Sequence, residues 1–289
     1  MFPSPRSMPA LITPFDRAGE IDLGAHRHNL GILSEKGIRG FLLAGSTGEG
    51  PYLEPGERYP LVSAARKTLG RRVHLVCGVT AETTRLGLRL VAEAADGGAD
   101  AVMVMTPTTL VRSRIQYVEN FYGALADAAT VPVYLYTVPS VTAFSLPEAS
   151  ITRLAAHPNI AGVKDSSGDP LRMQRLLPTV GPEFELFTGS SQAMSLAISA
   201  GAYGAITAST NYLPELVIRI VRGARRNPVE TRVLQAQLSI VAAEVESHGI
   251  PGVKVAAEAA GLRAGFPRLP LEPLPARLRR DLEALVATI

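Results

Sequence analysis

The stretch His157-Pro158-Asn159-Ile160-Ala161-Gly162-Val163-Lys164-Asp165-Ser166-Ser167-Gly168 decides how the chain reads. A Pro-containing turn leads into four apolar or small residues. These end on a lysine, and a polar turn closed by Gly follows. A short run without alternation is what a strand buried on both faces of a parallel sheet needs. Lys164 then closes the strand.

The same grammar recurs on both sides. Glu35-Lys36-Gly37 leads through Ile38 to Gly40, then Phe41 to Ala44, then Gly45-Ser46-Thr47-Gly48-Glu49. Gly97-Gly98-Ala99-Asp100 leads to Ala101 to Met105, then Thr106-Pro107. Ala200-Gly201-Ala202-Tyr203 leads to Gly204 to Ile206, then Thr207 to Thr210. Further runs lie at Ala10 to Thr13, Val73 to Cys77, Val131 to Tyr136 and Phe184 to Phe187. Eight strand candidates separated by helix-length segments predict an α/β protein with a closed (β/α)8 barrel, the TIM barrel. An open doubly wound sheet is the alternative, but no G-x-G-x-x-G or Walker A pattern supports a nucleotide-binding version.

After Tyr212 the pattern changes to helices at Leu213 to Arg226, Val229 to Ser247, Ile250 to Ala260 and Ala276 to Ile289. A Pro-rich connector lies at Gly265 to Pro275. Only the first of these helices is needed to complete eight units. The chain therefore divides into a barrel over 1–226 and a C-terminal helical extension over 227–289.

Composition fits this reading. The 289 residues are 46% hydrophobic, Trp is absent and aromatics are 6%, so Ala, Val, Leu and Ile must build the core. The net charge is +3. The densest basic groups, Arg222, Arg225, Arg226 and Arg277, Arg279, Arg280, fall in helices and read as solvated faces. No aromatic–basic interleaving points to a nucleic-acid partner. Cys77 is the only cysteine and sits in an apolar run, so no internal disulfide can form. Met1 to Pro14 lacks the cationic and apolar regions of a signal peptide. No run of about 18 apolar residues suggests a membrane span. The expected location is the cytoplasm.

In such a barrel the chemistry sits at the C-terminal ends of the strands. A lysine there is partly desolvated, which favours the neutral amine, and a neutral amine can attack a carbonyl to form an imine. Gly162 shares the face of Lys164 and leaves space below it. The bland alternative is a lysine in an exposed loop. Tyr134 and Tyr136 also share a face. Tyr136 is the upper one and can relay protons, with core packing as the alternative, and Tyr134 reads as core. Gly45 to Glu49 offers hydroxyls and backbone N–H groups for a carboxylate. It can equally be a helix N-cap turn with Glu49 in the first helical turn. His26, His28, His74, His157 and His248 show no metal-ligand spacing, and there is no G-x-S-x-G elbow.

Together these strand ends resemble the dihydrodipicolinate synthase / N-acetylneuraminate lyase family over nearly the whole chain. The motifs are Pro9-Ala10-Leu11-Ile12-Thr13-Pro14-Phe15, Gly45-Ser46-Thr47-Gly48-Glu49, Tyr136-Thr137-Val138-Pro139-Ser140, Gly162-Val163-Lys164-Asp165 and Gly249-Ile250-Pro251-Gly252-Val253-Lys254. The resemblance implies a lyase in which Lys164 forms a Schiff base with pyruvate or a related 2-oxo acid and Tyr136 shuttles protons. Ser46 and Thr47 would bind the carboxylate, with Thr47 also orienting Tyr136. Gly189 belongs to the same substrate site, and Ile206 would face it through its backbone. No cofactor or metal is implied. The partners are a 2-oxo acid and an aldehyde, and the assembly implied is a homotetramer, a dimer of dimers.

Three departures bear on the second reactant. Dihydrodipicolinate synthases place an arginine where this chain has Val141, which counts against aspartate-semialdehyde. They carry a Tyr-Tyr pair where this chain has Thr108-Thr109. Sialic-acid lyases carry an acidic pair where this chain has Gly189-Ser190-Ser191. The motifs, including His157 to Ile160 and Lys164 to Asp169, are most similar to those of 4-hydroxy-2-oxoglutarate aldolases. The expected activity is therefore aldol cleavage or condensation. A dihydrodipicolinate synthase, a 2-oxo-3-deoxy-acid dehydratase, or a non-catalytic 2-oxo-acid-binding barrel are the alternatives.

Overall fold

A computed structural model describes residues 5–289. Residues 1–4, on which part of the reading of Met1 to Pro14 rests, lie outside the described residues. Eight parallel strands follow in chain order: β1 (Ser7–Pro9), β2 (Gly40–Leu43), β3 (His74–Val79), β4 (Ala101–Met105), β5 (Val133–Thr137), β6 (Ile160–Asp165), β7 (Glu185–Thr188) and β8 (Gly204–Thr207). β1 pairs with β8, Ser7 opposite Ala205. The β1–β2 seam is closed by a parallel bridge between Ala10 and Leu42 just beyond β1. The structure is a TIM barrel.

Helices α1 (Leu23–Glu35), α2 (Arg58–Leu69), α3 (Thr84–Asp96), α4 (Ile115–Ala128), α5 (Pro139–Thr142), α6 (Glu148–Leu154), α7 (Pro170–Leu176), α8 (Met194–Ser199) and α9 (Pro214–Gly223) connect and cover the strands. Their starts are written locally. Asp22 and Thr83 accept from Ala25 and Leu86 N–H at α1 and α3, and Pro170 and Pro214 open α7 and α9 where a missing N–H costs nothing. Beyond the barrel, α10 (Pro228–Ser247) packs on α8 and α9, α11 (Gly249–Ala259) packs on α10, and α12 (Ala276–Val286) packs on both.

Two cores result. Leu, Val, Ile and Ala fill the space between sheet and helices. A second cluster fills the barrel interior with Met8, Met103, Met105, Tyr134, Tyr136, Phe187 and Ile206 among its members. Both tyrosines of β5 thus point inward, as their shared face requires.

Several boundaries move. The first strand lies at Ser7–Pro9, before the expected run Ala10 to Thr13. On the β8 side the Asn211 amide takes over there, donating to Ala10 C=O at 2.8 Å and accepting from Ile12 N–H at 3.2 Å, while Leu11 N–H still donates to Leu42 C=O at 2.8 Å. β5, β6, β7 and β8 each run one or two residues further than the apolar pattern, to Thr137, Asp165, Thr188 and Thr207. These polar ends are buried but satisfied: Thr137 and Thr188 hydroxyls accept from Leu146 and Ser190 N–H, Asp165 pairs with Arg172, and Thr207 meets the Ser209 and Thr210 hydroxyls. Arg225 is exposed, as expected, but it lies just beyond α9 and has partners. Its guanidinium donates to Ile198 and Ala202 carbonyls at 3.0 and 2.8 Å and so caps the end of α8. Cys77 is buried, and burial pushes its thiol up to about 12.

Candidate active site

The lysine of the opening stretch sits where β6 meets the barrel mouth. Register places Lys164 opposite Tyr136 on β5 and Phe187 on β7. Only 3% of Lys164 is exposed, and its Nζ lies 4.4 Å from the centre of the Tyr136 ring. The Tyr136 hydroxyl stands 2.9 Å from Ser46 Oγ, on the loop after β2. Residues from β2, β5 and β6 therefore converge as an amine, a phenol and a hydroxyl.

The hydroxyl that meets Tyr136 belongs to Ser46. The resemblance gives the orienting role to Thr47, whose side chain makes no hydrogen bond among the described residues. Neighbouring side chains diverge in a tight turn. Glu49 N–H donates to Ser46 C=O at 3.0 Å and so holds Ser46 on the β5 side. Thr47 is half-buried at the same lip.

Glu49 is not in the first turn of a helix. It adopts φ 56 before a short 3₁₀ turn at Gly50–Tyr52, and it is fully buried. Its carboxylate pairs with Lys254 Nζ at 2.7 Å and accepts from Arg268 N–H at 2.7 Å. Lys254 also donates to Thr13 and Phe266 carbonyls at 2.9 and 2.6 Å. Burial pushes the Lys254 ammonium down, and Glu49 beside it pushes back. Arg58 fastens the other side of the loop, donating to Gly50 and Gly78 carbonyls at 2.8 and 3.0 Å. The Ser46-Thr47 loop is thus clamped by a buried ion pair from α11 and by an arginine from α2. In the sequence Lys254 closes a motif, and nothing in one dimension ties it to Glu49.

The ground around the lysine differs from expectation in one respect. A side chain at Gly162 would meet the Glu185 carbonyl at 2.3 Å and the Tyr134 ring at 2.9 Å, so Gly162 makes room first for the backbone of β7 and for Tyr134. The glycine that makes room for the lysine is Gly189 after β7. A Cβ there would fall 2.8 Å from Lys164 Cε and 1.9 Å from Ser166 Oγ. Tyr134 is buried as read, and its hydroxyl also donates to Glu185 at 2.5 Å. Ile206 is buried in the barrel interior. Val141 on α5 is 60% exposed, and the Thr108 and Thr109 N–H groups donate to the Glu82 carboxylate.

Two carboxylates near Lys164 carried no role in the sequence reading. Asp165 is buried against Arg172 Nε at 2.7 Å and accepts from Ser167 N–H at 2.8 Å. Its backbone carbonyl accepts from Gly189 N–H at 2.7 Å, joining the ends of β6 and β7. Glu246 on α10 accepts from Ser191 Oγ at 2.6 Å and from Tyr212 at 3.1 Å. Burial raises the Glu246 carboxyl above its usual range, while the Ser191 and Tyr212 hydrogen bonds and the Lys164 charge pull it back. Burial and Glu246 together raise the Tyr212 phenol. A large open cavity of about 610 Å³ lies elsewhere, between the Asp16–Glu20 turn and the connector at Phe266–Pro273. None of the Lys164 groups lines it.

An eight-stranded parallel barrel with a buried lysine, a phenol and a hydroxyl at its mouth defines the class I lyase type of barrel. The chain belongs to the dihydrodipicolinate synthetase family, whose model matches residues 3–289. It is similar to the 4-hydroxy-tetrahydrodipicolinate synthase of Methanosarcina mazei, 32% identical over 287 residues that cover 96% of this chain and 97% of that one. Among solved structures it is similar to a dihydrodipicolinate synthase from Bacillus anthracis, with a TM-score of 0.94 and 25% identity over 100% of this chain and 99% of that one. It is also similar to the synthase of Acinetobacter baumannii solved with pyruvate, with a TM-score of 0.90 and 26% identity over 97% of each chain.

Proposed function

We propose that the chain is a class I lyase in which Lys164 captures pyruvate or a related 2-oxo acid as an imine and joins it to, or releases it from, an aldehyde. One arrangement carries the reading: the buried Lys164 amine lies 4.4 Å over the Tyr136 ring, and the Tyr136 hydroxyl is 2.9 Å from Ser46. In this reading the neutral amine adds to the 2-oxo carbon. Tyr136 moves the protons that turn the carbonyl oxygen into water, with Ser46 completing the relay. Ser46 and Thr47 receive the carboxylate, and Gly189 and Ile206 line the site. Loss of a proton from the neighbouring carbon gives the nucleophile that meets the aldehyde.

The names of the curated relatives favour condensation of the 4-hydroxy-tetrahydrodipicolinate synthase kind. Val141, Thr109 and Gly189-Ser190-Ser191 favour aldol chemistry of the 4-hydroxy-2-oxoglutarate kind, because no cationic side chain stands at position 141 to hold a second carboxylate. A panel of aldehydes with pyruvate, run in both directions, decides between them. Efficient use of aspartate-semialdehyde would select the first reading, and cleavage of 4-hydroxy-2-oxoglutarate the second. No turnover with any pair, with Lys164 left unmodified by pyruvate, would sink both.

Residues 1–226 form the catalytic unit in this proposal and 227–289 its extension. The protein works in the cytoplasm as a homotetramer. Sedimentation at four times the chain mass is the expected result, and a monomer would refute the assembly.

A further inference from the structure

A buried imine nitrogen carries a positive charge once water has left. The neutral amine and the carbonyl combine with one proton, water departs, and the nitrogen keeps the charge until the neighbouring carbon loses its own proton. Charge in a place only 3% exposed is costly unless a counter-charge is close. The Tyr136 ring supplies only its π face. Asp165 is already neutralised by Arg172. Glu185 holds the Tyr134 hydroxyl below the site.

One carboxylate remains. Glu246 reaches the mouth from α10, and two hydroxyl donors, Ser191 and Tyr212, meet its Oε1. Ser191 belongs to the turn whose Gly189 lies against Lys164 Cε. Among the described residues Oε2 has no hydrogen-bond partner. Glu246 is therefore fixed against the turn that borders the lysine, with no direct pairing, and the Lys164 charge acts on it.

We infer that Glu246 is the counter-charge for the cationic imine at Lys164, held in place by Ser191 and Tyr212 as a positioning residue on the β7–β8 side of the mouth. This rests on the Schiff-base reading of Lys164. It also makes the C-terminal extension part of the chemistry. The groups facing Glu246 are Lys164 from β6, Ser191 from the turn after β7 and Tyr212 from the turn after β8. Tyr136 faces Lys164 from β5. Glu244 and His248, nearby on the chain, pair with each other at 3.2 Å.

The test is borohydride trapping of the pyruvate adduct on the whole protein, as a function of pyruvate concentration and pH. With Glu246→Gln the half-saturating pyruvate concentration at the pH plateau should rise about tenfold. The acid limb should also move to lower pH, because the Lys164 ammonium loses the carboxylate that stabilises it. A role in packing alone would weaken trapping but leave that limb in place. Tyr212→Phe keeps the ring and removes one donor. It disfavours the charged carboxylate and so weakens the same counter-charge, so the limb should move in the same direction as in Glu246→Gln, and by less. Wild-type saturation and limb in Glu246→Gln, or an unmoved limb in both variants, would overturn the inference. Absence of any Lys164 adduct in the wild type would instead show that the Schiff-base reading had failed first.

Discussion

At the scale of single residues, the site depends on room as much as on chemistry. Lys164 can occupy its position because Gly189 has no side chain. Gly189→Ala would drive a methyl into Ser166 Oγ and Lys164 Cε, at 1.9 and 2.8 Å. It should abolish pyruvate trapping while circular dichroism still reports a folded barrel. Retained trapping would mean that the turn yields. Tyr136→Phe keeps the ring over the lysine and removes the hydroxyl to which the proposal gives the proton transfers, so turnover should fall by roughly 10²–10⁴-fold. A near-normal rate would mean that another group moves the proton. Lys164 and Tyr136 were legible in the sequence because each sits at the end of an apolar run, where a barrel puts its reactive groups. The pairing of Tyr136 with Ser46 was not. Adjacent hydroxyls at 46 and 47 are equivalent in one dimension, and only the turn geometry separates them.

At the scale of elements, the loop after β2 is held by residues far away in the chain. The Glu49–Lys254 pair is buried on both sides. Removing one partner leaves a buried charge alone, at a cost of about 3–5 kcal/mol. Lys254→Met should therefore lower the denaturation midpoint and also raise the KM for pyruvate, since Ser46 and Thr47 ride on the loop that Glu49 ends. The double variant Lys254→Met with Glu49→Gln should recover part of the stability. If Lys254→Met matched the wild type in both measurements, the clamp would be unnecessary. Strand number and order followed from the recurrence of apolar runs and turns. Register and cross-element partners did not. Glu246 sits beside the apolar stripe Val241, Ala242 and Val245 of α10, a pattern that reads equally well as interface or as cover. Gly162 shows the same limit: its small size was visible, but the neighbours it admits, the Glu185 carbonyl and the Tyr134 ring, depend on the β6–β7 and β5–β6 registers.

At the scale of the whole molecule, stability has a pH signature that is separate from catalysis. His26 is buried on α1, with its Nε2 3.2 Å from the Leu61 carbonyl, and burial lowers it from 6.5 to about 4. The folded protein then keeps this imidazole neutral where the unfolded chain binds a proton. The contribution is complete above pH 6.5 and is lost as the pH falls toward about 4, amounting to about 3 kcal/mol. Urea midpoints should fall over that interval in the wild type and fall less in His26→Gln, which keeps a donor for Leu61. Parallel curves would assign the acid sensitivity to other groups. The architecture was the most legible level of all, because eight buried parallel strands leave a continuous apolar record. The two cores could not be separated in advance, since interior and exterior faces of such strands are both apolar.

Everything proposed for the site turns on Lys164 as the nucleophile. Incubation with pyruvate, reduction with borohydride and peptide mass spectrometry test it most directly. A reduced pyruvyl adduct is expected on Lys164 alone, absent from Lys164→Ala. No adduct, or an adduct on another lysine such as Lys254, would contradict it.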